Sequence, residues 1–557
     1  TAQSLSFDVV ALRDANTLEN NFANGSDHTV SIELVDASSG SCSTYNALNP
    51  AIVQNLAFSS ADAGKITANL NPSVTSSAYK KVKCRVIDKT NPADTVTGCS
   101  TDSFAIRPTT FSVSSTSLAS TASPTPTSAS TTKAGAFFDL VFTGYDDKPN
   151  QIDNSLVTAH SGASLAGTLT GTRSGAATDS PFTGNFNYSD VGWFLLLENA
   201  IYDDKFTELS GDEGSDDCII NSFENDPTND STGKNRIGCN FGNTATASYF
   251  GRFTPDHFKV TASTDGVFSN ACTGFTYNGQ TFNYQTAPTL TITAYNALSP
   301  ATVTFNYTGV YADHLTATDF NVTTPATDSS QLGADGSTLV NLLWTPGSAT
   351  LADNTNGSLT FSFGNDSFNY LHQDNSKIAP FTPTVDFEFT DITDSDGIQT
   401  QGLPQTLQSS ASSIRFGRLN IANTHGSELS NLAVPLFTEY FNGSYFVTNI
   451  EDTCTSISTN QLRFNNALSP VSVGSGSSTA SIGNSPLNLG QAGLSLTAPG
   501  AGNTGYVDIG TATFISSSPW LAYDWDNNGS HDNSPSSRAT FGIYKGNSKQ
   551  IYLREVY

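Results

Sequence analysis

The chain has 557 residues, 13% of them charged, and its 24 basic and 50 acidic side chains give a formal net charge of −26. Such a surface repels phosphate backbones and anionic lipid headgroups, which excludes nucleic acid as a partner, and it suits Ca²⁺, which takes oxygen ligands. The longest apolar run, Trp193 to Leu197, is far too short to cross a bilayer.

Met is absent, Ser, Thr, Asn and Gly dominate the polar set, and Val, Ile, Thr, Phe and Tyr recur in short stretches. That composition favours strands over helices. In chain order, alternating patterns predict strands over 28–35, 136–143, 290–295, 358–363, 385–390 and 550–556. Gly, Asn, Asp and Pro separate them at intervals typical of sandwiches. The fold class expected is therefore all-β, with tandem immunoglobulin-like β-sandwich domains.

Pro108-Thr-Thr-Phe-Ser-Val113 echoes Pro255-Asp-His-Phe-Lys-Val260, and Phe250-Gly-Arg252 echoes Phe416-Gly-Arg418. These echoes set module boundaries at 1–107, 108–253, 254–413 and 414–557. The Ser/Thr/Pro-rich stretch 114–132 reads as a flexible linker or as a long first loop of the second module. Asn-Ala-Leu-Asn/Ser-Pro occurs at 46–50, 296–300 and 466–470, a recurring turn preference. Thr1 begins the chain without a charged-then-apolar leader, so an exported protein would have its signal removed or upstream.

Seven cysteines are present and none forms a CxxC. Lys81–Ile87 and Thr95–Cys99 read as a hairpin about a turn at 89–94, so Cys84 and Cys99 are expected to bridge it. Cys218 and Cys239 bracket the Asp/Asn-rich segment 221–235 and are expected to close it as a loop. Cys42, Cys272 and Cys454 have no evident mate, and the odd count leaves at least one thiol outside any intrachain bridge.

The sharpest local pattern is Asp524-Trp-Asp526-Asn-Asn528-Gly529-Ser530-His-Asp532. Oxygen side chains occupy positions one, three, five and nine, with Gly at six, as at the front of an EF-hand-type Ca²⁺ loop. The closing Glu is missing, since Pro535 stands at the twelfth position. Asp391, Asp394 and Asp396 ahead of Gly397 form a shorter Ca²⁺ candidate. The bland reading of both is a turn whose Asp and Asn side chains cap their own backbone. Gly500-Ala-Gly502-Asn-Thr-Gly505 precedes a strand rather than a helix, which removes it as a dinucleotide loop. No HExxH or GxSxG occurs. Trp520, Tyr523 and Trp525 could stack on sugar rings, although alternation along 520–525 favours a sandwich core.

Several longer segments carry a family resemblance: 99–108, 251–258 and 271–277, then 415–419, 426–429, 434–436 and 439–444, and finally 520–526 with 539–546. Together they resemble the C-terminal region of MshQ-like proteins of the mannose-sensitive haemagglutinin type IV pilus system. The resemblance implies a location outside the cell or on the surface of a Gram-negative bacterium, and it supplies no catalytic residues. The expected function is a non-enzymatic surface protein associated with a type IV pilus, acting in adhesion or as a structural spacer. Its expected partners are other pilus or surface proteins. Two alternatives stand beside it: a filament subunit that polymerises with itself by strand addition through 551–557, and a lectin or carbohydrate-active enzyme that meets host or environmental glycans.

Overall fold

The computed structural model describes residues 5–542, apart from 15–16, 72–76, 92, 94, 130–131, 145–148, 174–181, 209–216, 324, 326–331, 334, 373–376 and 411–412. These residues form short strands throughout, with a single α-helical turn at Phe514–Ser517. Strands occur at His28–Asp36, Phe138–Thr143, Thr289–Tyr295, Ser358–Ser362 and Thr384–Ile392. The strand expected over 550–556 lies outside the described residues.

The chain divides into two compact units. The first comprises Thr1–Phe258, Ala294–His314 and Thr355–Ser358. Within it, His28–Asp36 lies between Tyr79–Asp88 and Val53–Phe58, antiparallel to both. A separate two-stranded sheet pairs Leu5–Val10 with Lys65–Leu70. Val30, Ile32, Leu34, Phe58, Val82 and Ile106 belong to one core here. A second core gathers Phe111, Leu140, Phe142, Phe186, Phe194 and Phe253. Phe138–Thr143 runs between Ser112–Ser114 and Phe182–Tyr188, while Gly192–Leu196 pairs with Tyr249–Thr254.

The described residues of the stretch 114–132 are built into this second sandwich. Ala119–Thr121 pairs antiparallel with Tyr249–Thr254, and Leu118 enters the core. The Asp139 carboxylate accepts the Ser117 N–H at 2.9 Å. The loop reading therefore describes it, and the linker reading does not.

The expected Cys84–Cys99 bridge is corrected by register. The hairpin exists, but Arg85 rather than Cys84 stands opposite Cys99. Successive strand residues face opposite sides, so one step of register turns Cys84 away from its expected mate. Cys84 is instead a buried free thiol in the first core, and Cys99 bonds to Cys42. Cys218 is bonded to Cys239 and Cys272 to Cys454.

The second unit comprises Lys259–Thr293, Leu315–Asn354 and Leu359–Tyr557. One of its sheets orders Phe320–Val322, Thr384–Ile392, Gln405–Ser410, Gly266–Phe268, Phe282–Thr286, Ser367–Tyr370 and Leu342–Thr345 side by side. Another core in this unit takes Leu419, Leu436, Phe464, Leu494, Val507 and Phe541 from the C-terminal strands. It also takes Cys272, Phe275 and Tyr277 from far upstream. Phe275–Tyr277 pairs in parallel with Ser413–Arg415, which explains how this early segment reaches the late core. The three Asn-Ala-Leu-Asn/Ser-Pro motifs each end in a cis peptide, at Asn49-Pro50, Ser299-Pro300 and Ser469-Pro470.

Candidate functional site

The loop at 524–532 turns on Asn527 and Gly529, whose φ values are 58° and 91°. Gly carries a positive φ without a Cβ penalty, and Asn tolerates one. The turn brings the side-chain oxygens of Asp524, Asp526 and Asn528 over the following backbone. Asp524 Oδ1 accepts the Asn528 N–H at 2.8 Å and its Oδ2 accepts the Gly529 N–H at 3.1 Å. Asp526 Oδ1 accepts the Asn528 N–H at 3.2 Å, and Asn528 Oδ1 accepts the Ser530 N–H at 2.8 Å. Asp532 is exposed beyond the turn. These bonds are those of a turn that caps its own backbone, and Asp524, Asp526 and Asp532 form no converging group of metal ligands.

At the second candidate, Asp394 is buried and caps its own turn. Its Oδ1 accepts the N–H groups of Asp396 at 3.0 Å and Ile398 at 2.8 Å. Asp391 is exposed, and its Oδ1 accepts the Thr393 hydroxyl.

The aromatic cluster beside the first loop packs under cations. The Arg418 guanidinium lies 3.7 Å from the Phe446 ring centre, 4.7 Å from Trp525 and 4.9 Å from Tyr523. It also pairs with Glu439 at 2.7 Å. Trp520 packs against the C-terminal core. These rings serve packing and cation–π contacts, each worth about 0.5–2 kcal/mol.

A further polar centre lies inside the same core. Asp452 is fully buried, and its Oδ2 accepts hydroxyls from Tyr277 at 2.8 Å, Thr438 at 2.9 Å and Thr455 at 2.7 Å. Its Oδ1 accepts the N–H groups of Cys454 at 3.2 Å and Thr455 at 2.9 Å. Burial and the Asp452 charge push the Tyr277 hydroxyl well above the ordinary phenol range. Cys272, Asp452 and Cys454 are the one group of three metal-ligating side chains that converges among the described residues, and its two sulfurs are joined in a disulfide. The sequence hinted at this centre only through two cysteines left without mates.

Buried polar residues and a disulfide also lie near the expected boundaries, and sequence reading missed them. Arg107 stands in sequence between Ile106 of the first core and Phe111 of the second, and is 2% exposed. It donates to the carbonyls of Gly238 at 2.7 Å, Pro108 at 2.7 Å and Glu224 at 2.8 Å, and to Asn225 Oδ1 at 2.9 Å. Burial lowers its pKa to about 10, which leaves it charged at neutral pH. Three of these four acceptors lie on the loop closed by Cys218–Cys239, so the disulfide shapes the socket that holds the Arg. Near 254, Lys133 pairs with Asp256 at 2.9 Å, and Asn296 Nδ2 donates to the Ser189 carbonyl at 2.9 Å. Asp190 Oδ1 accepts the Asn306 N–H at 2.9 Å. Near 414 the tie is covalent, through Cys272–Cys454.

Comparison with known families decides the relationship. Residues 237–419 match the third domain of DUF6701 and residues 415–556 its fourth, so the two together span more than half of the chain. The chain belongs to the DUF6701 family. DUF6701 domains occur in MshQ-like proteins of the mannose-sensitive haemagglutinin pilus system, and this DUF6701 chain is accordingly a surface protein of the Gram-negative type. No curated protein matches. Among solved structures, the Escherichia coli adhesin FdeC aligns over 72% of this chain and 90% of its own, at 11% identity and a TM-score of 0.25. The I9–I11 tandem of titin aligns over 73% of this chain and 94% of its own, at 6% identity and a TM-score of 0.19. Scores this low give those structures no bearing on the role of the DUF6701 domains. No helix among the described residues is long and apolar enough to cross a membrane.

Proposed function

We propose that this DUF6701 protein is a non-enzymatic surface spacer of a type IV pilus system that holds adhesive contacts away from the cell. The observation that carries this reading is the bonding at the module boundaries. An ordinary interdomain linker is exposed and crossed by few contacts, so relative motion is the default. Here the boundary near 108 is pinned by a buried Arg with four donated hydrogen bonds, and that near 414 by a disulfide. A spacer under shear needs such joints, because a compliant joint would absorb the displacement that the tip must transmit. The family context supports pilus and surface proteins as its partners; glycans are a finer proposal, as is Ca²⁺ at 524–532 stiffening the C-terminal loop.

The test is in the parent bacterium. Immunogold labelling is expected to place the protein on the cell surface or along pili, and its deletion is expected to lower attachment while pili still assemble. Unchanged attachment, or labelling confined to the cell interior, would refute the spacer role.

A further inference from the structure

The first sandwich is open along one side. Leu5–Val10 pairs only with Lys65–Leu70 among the described residues, and Val96–Cys99 pairs only with Tyr79–Asp88. Both strands therefore present an unsatisfied edge. Between them lies a cleft of about 660 Å³ whose floor includes Val9, Val30, Phe58, Cys84, Val86 and Phe104. Its mouth is apolar too: Val10 is 44% exposed and Val96 65% exposed. A strand edge beside an apolar cleft is a template for another strand, since backbone groups can pair while alternate side chains fill the cleft.

The charge of the cleft narrows the occupant. Asp8, Glu19, Asp88 and Asp102 line it, and no Lys or Arg does. Lys65 pairs with Asp8 and Arg13 with Glu19, while Asp88 meets His28 and accepts the Thr90 N–H. The lining remains acidic after those pairs are counted. In a chain of net charge −26, residues 545–557 are unusual, with Lys545, Lys549 and Arg554 against the single acid Glu555. In an extended conformation Ile551 and Leu553 share one face, and Lys549 and Arg554 flank them. That combination of a short apolar face with basic flanks complements the cleft.

We propose that the cleft accepts residues 545–557 of a second copy as an added strand, joining chains head to tail. Such a contact is heterologous and propagates rather than closing on itself. It goes beyond the spacer role and stands apart from it, because a spacer can hold a tip whether or not copies join.

Gly98 gives a clean way to fill the cleft. It lies in the lining, and a Cβ built on it meets no atom within 4 Å. Gly98→Trp therefore puts a ring into open space, in a strand position that favours aromatics. Sedimentation velocity of the full chain across a hundredfold concentration range is expected to show reversible association. Gly98→Trp should weaken it at least tenfold, and excess synthetic peptide of residues 545–557 should dissolve it. Leu553→Arg tests the donor side without touching the first sandwich and should act equally. Alkylation of Cys84, the free thiol on the cleft floor, should slow severalfold when the peptide is added. A monomer at all concentrations would overturn the proposal, as would association that neither variant changes. The separate attachment assay keeps failure of this contact distinguishable from failure of the spacer reading.

Discussion

Tyr277→Phe removes one oxygen from the centre of the C-terminal core, and its cost follows from what that oxygen touches. The hydroxyl donates to Asp452 Oδ2 at 2.8 Å and accepts from Asn449 Nδ2 at 2.7 Å, with the whole side chain buried. A hydrogen bond to a charged group contributes about 1.5–3 kcal/mol, and a stranded buried donor costs about 1–3 kcal/mol. Asp452 keeps its bonds from Thr438 and Thr455, which limits the loss, so the substitution should destabilise this domain by about 3–4 kcal/mol. Tyr188→Phe is the matched control: Tyr188 is also fully buried, but its hydroxyl accepts one neutral N–H, from Gly167 at 2.9 Å. Its loss should cost about 1–2 kcal/mol. Hydrogen exchange at increasing urea, read on peptides covering 432–464 for the first variant and 182–196 for the second, reports each domain separately. Equal costs, or a larger one for Tyr188→Phe, would refute the role assigned to the buried carboxylate.

Removing the disulfides one at a time should follow loop length. Chain entropy gives about 5 kcal/mol for Cys272–Cys454, about 4 for Cys42–Cys99 and about 3 for Cys218–Cys239, from separations of 182, 57 and 21 residues. Paired Cys→Ala variants compared by urea midpoints check the order. Arg107→Ala should leave both flanking cores folded yet loosen the boundary between them, seen as faster exchange in 219–240 and a broader interdomain distance distribution by spin labelling. Asp190→Asn tests a buried carboxyl whose pKa burial raises. A raised native pKa stabilises below the ordinary carboxyl range and loses that contribution as pH rises through the native value. The Asn variant should therefore gain on the wild type at pH 7, with the advantage shrinking toward pH 4 in a series of melts. For the Ca²⁺ proposal, millimolar Ca²⁺ should raise the melting midpoint and Asp524→Asn should abolish the rise, since a ligand of the native state must stabilise it.

The strands were legible because a half-buried strand repeats every two residues, and Thr384–Ile392 carries that pattern over its first six residues. The hairpin of Tyr79–Asp88 and Val96–Cys99 was legible for the same reason, but its register was not. A long turn leaves the pairing free to slip by one residue, and that slip decides whether Cys84 or Arg85 stands opposite Cys99. The Cys272–Cys454 bond was illegible for a different reason. It joins residues far apart in sequence, and only the parallel pairing of Phe275–Tyr277 with Ser413–Arg415 brings them near.

The boundaries expose the deeper limit. Arg107, Asn296 and Asn306 stand beside prolines, turns and polar stretches, where polar residues are ordinarily solvated. In the structure they are 2%, 0% and 1% exposed. Burial without partners would cost each several kcal/mol. Their partners are chiefly main-chain groups: Gly238, Pro108 and Glu224 carbonyls for Arg107, the Ser189 carbonyl for Asn296, and the Leu165 carbonyl and Ser164 N–H for Asn306. Main-chain groups are present at every position, so no side-chain signature marks them in advance. A segment of this kind looks like a flexible linker in composition and behaves as part of the core in energetics.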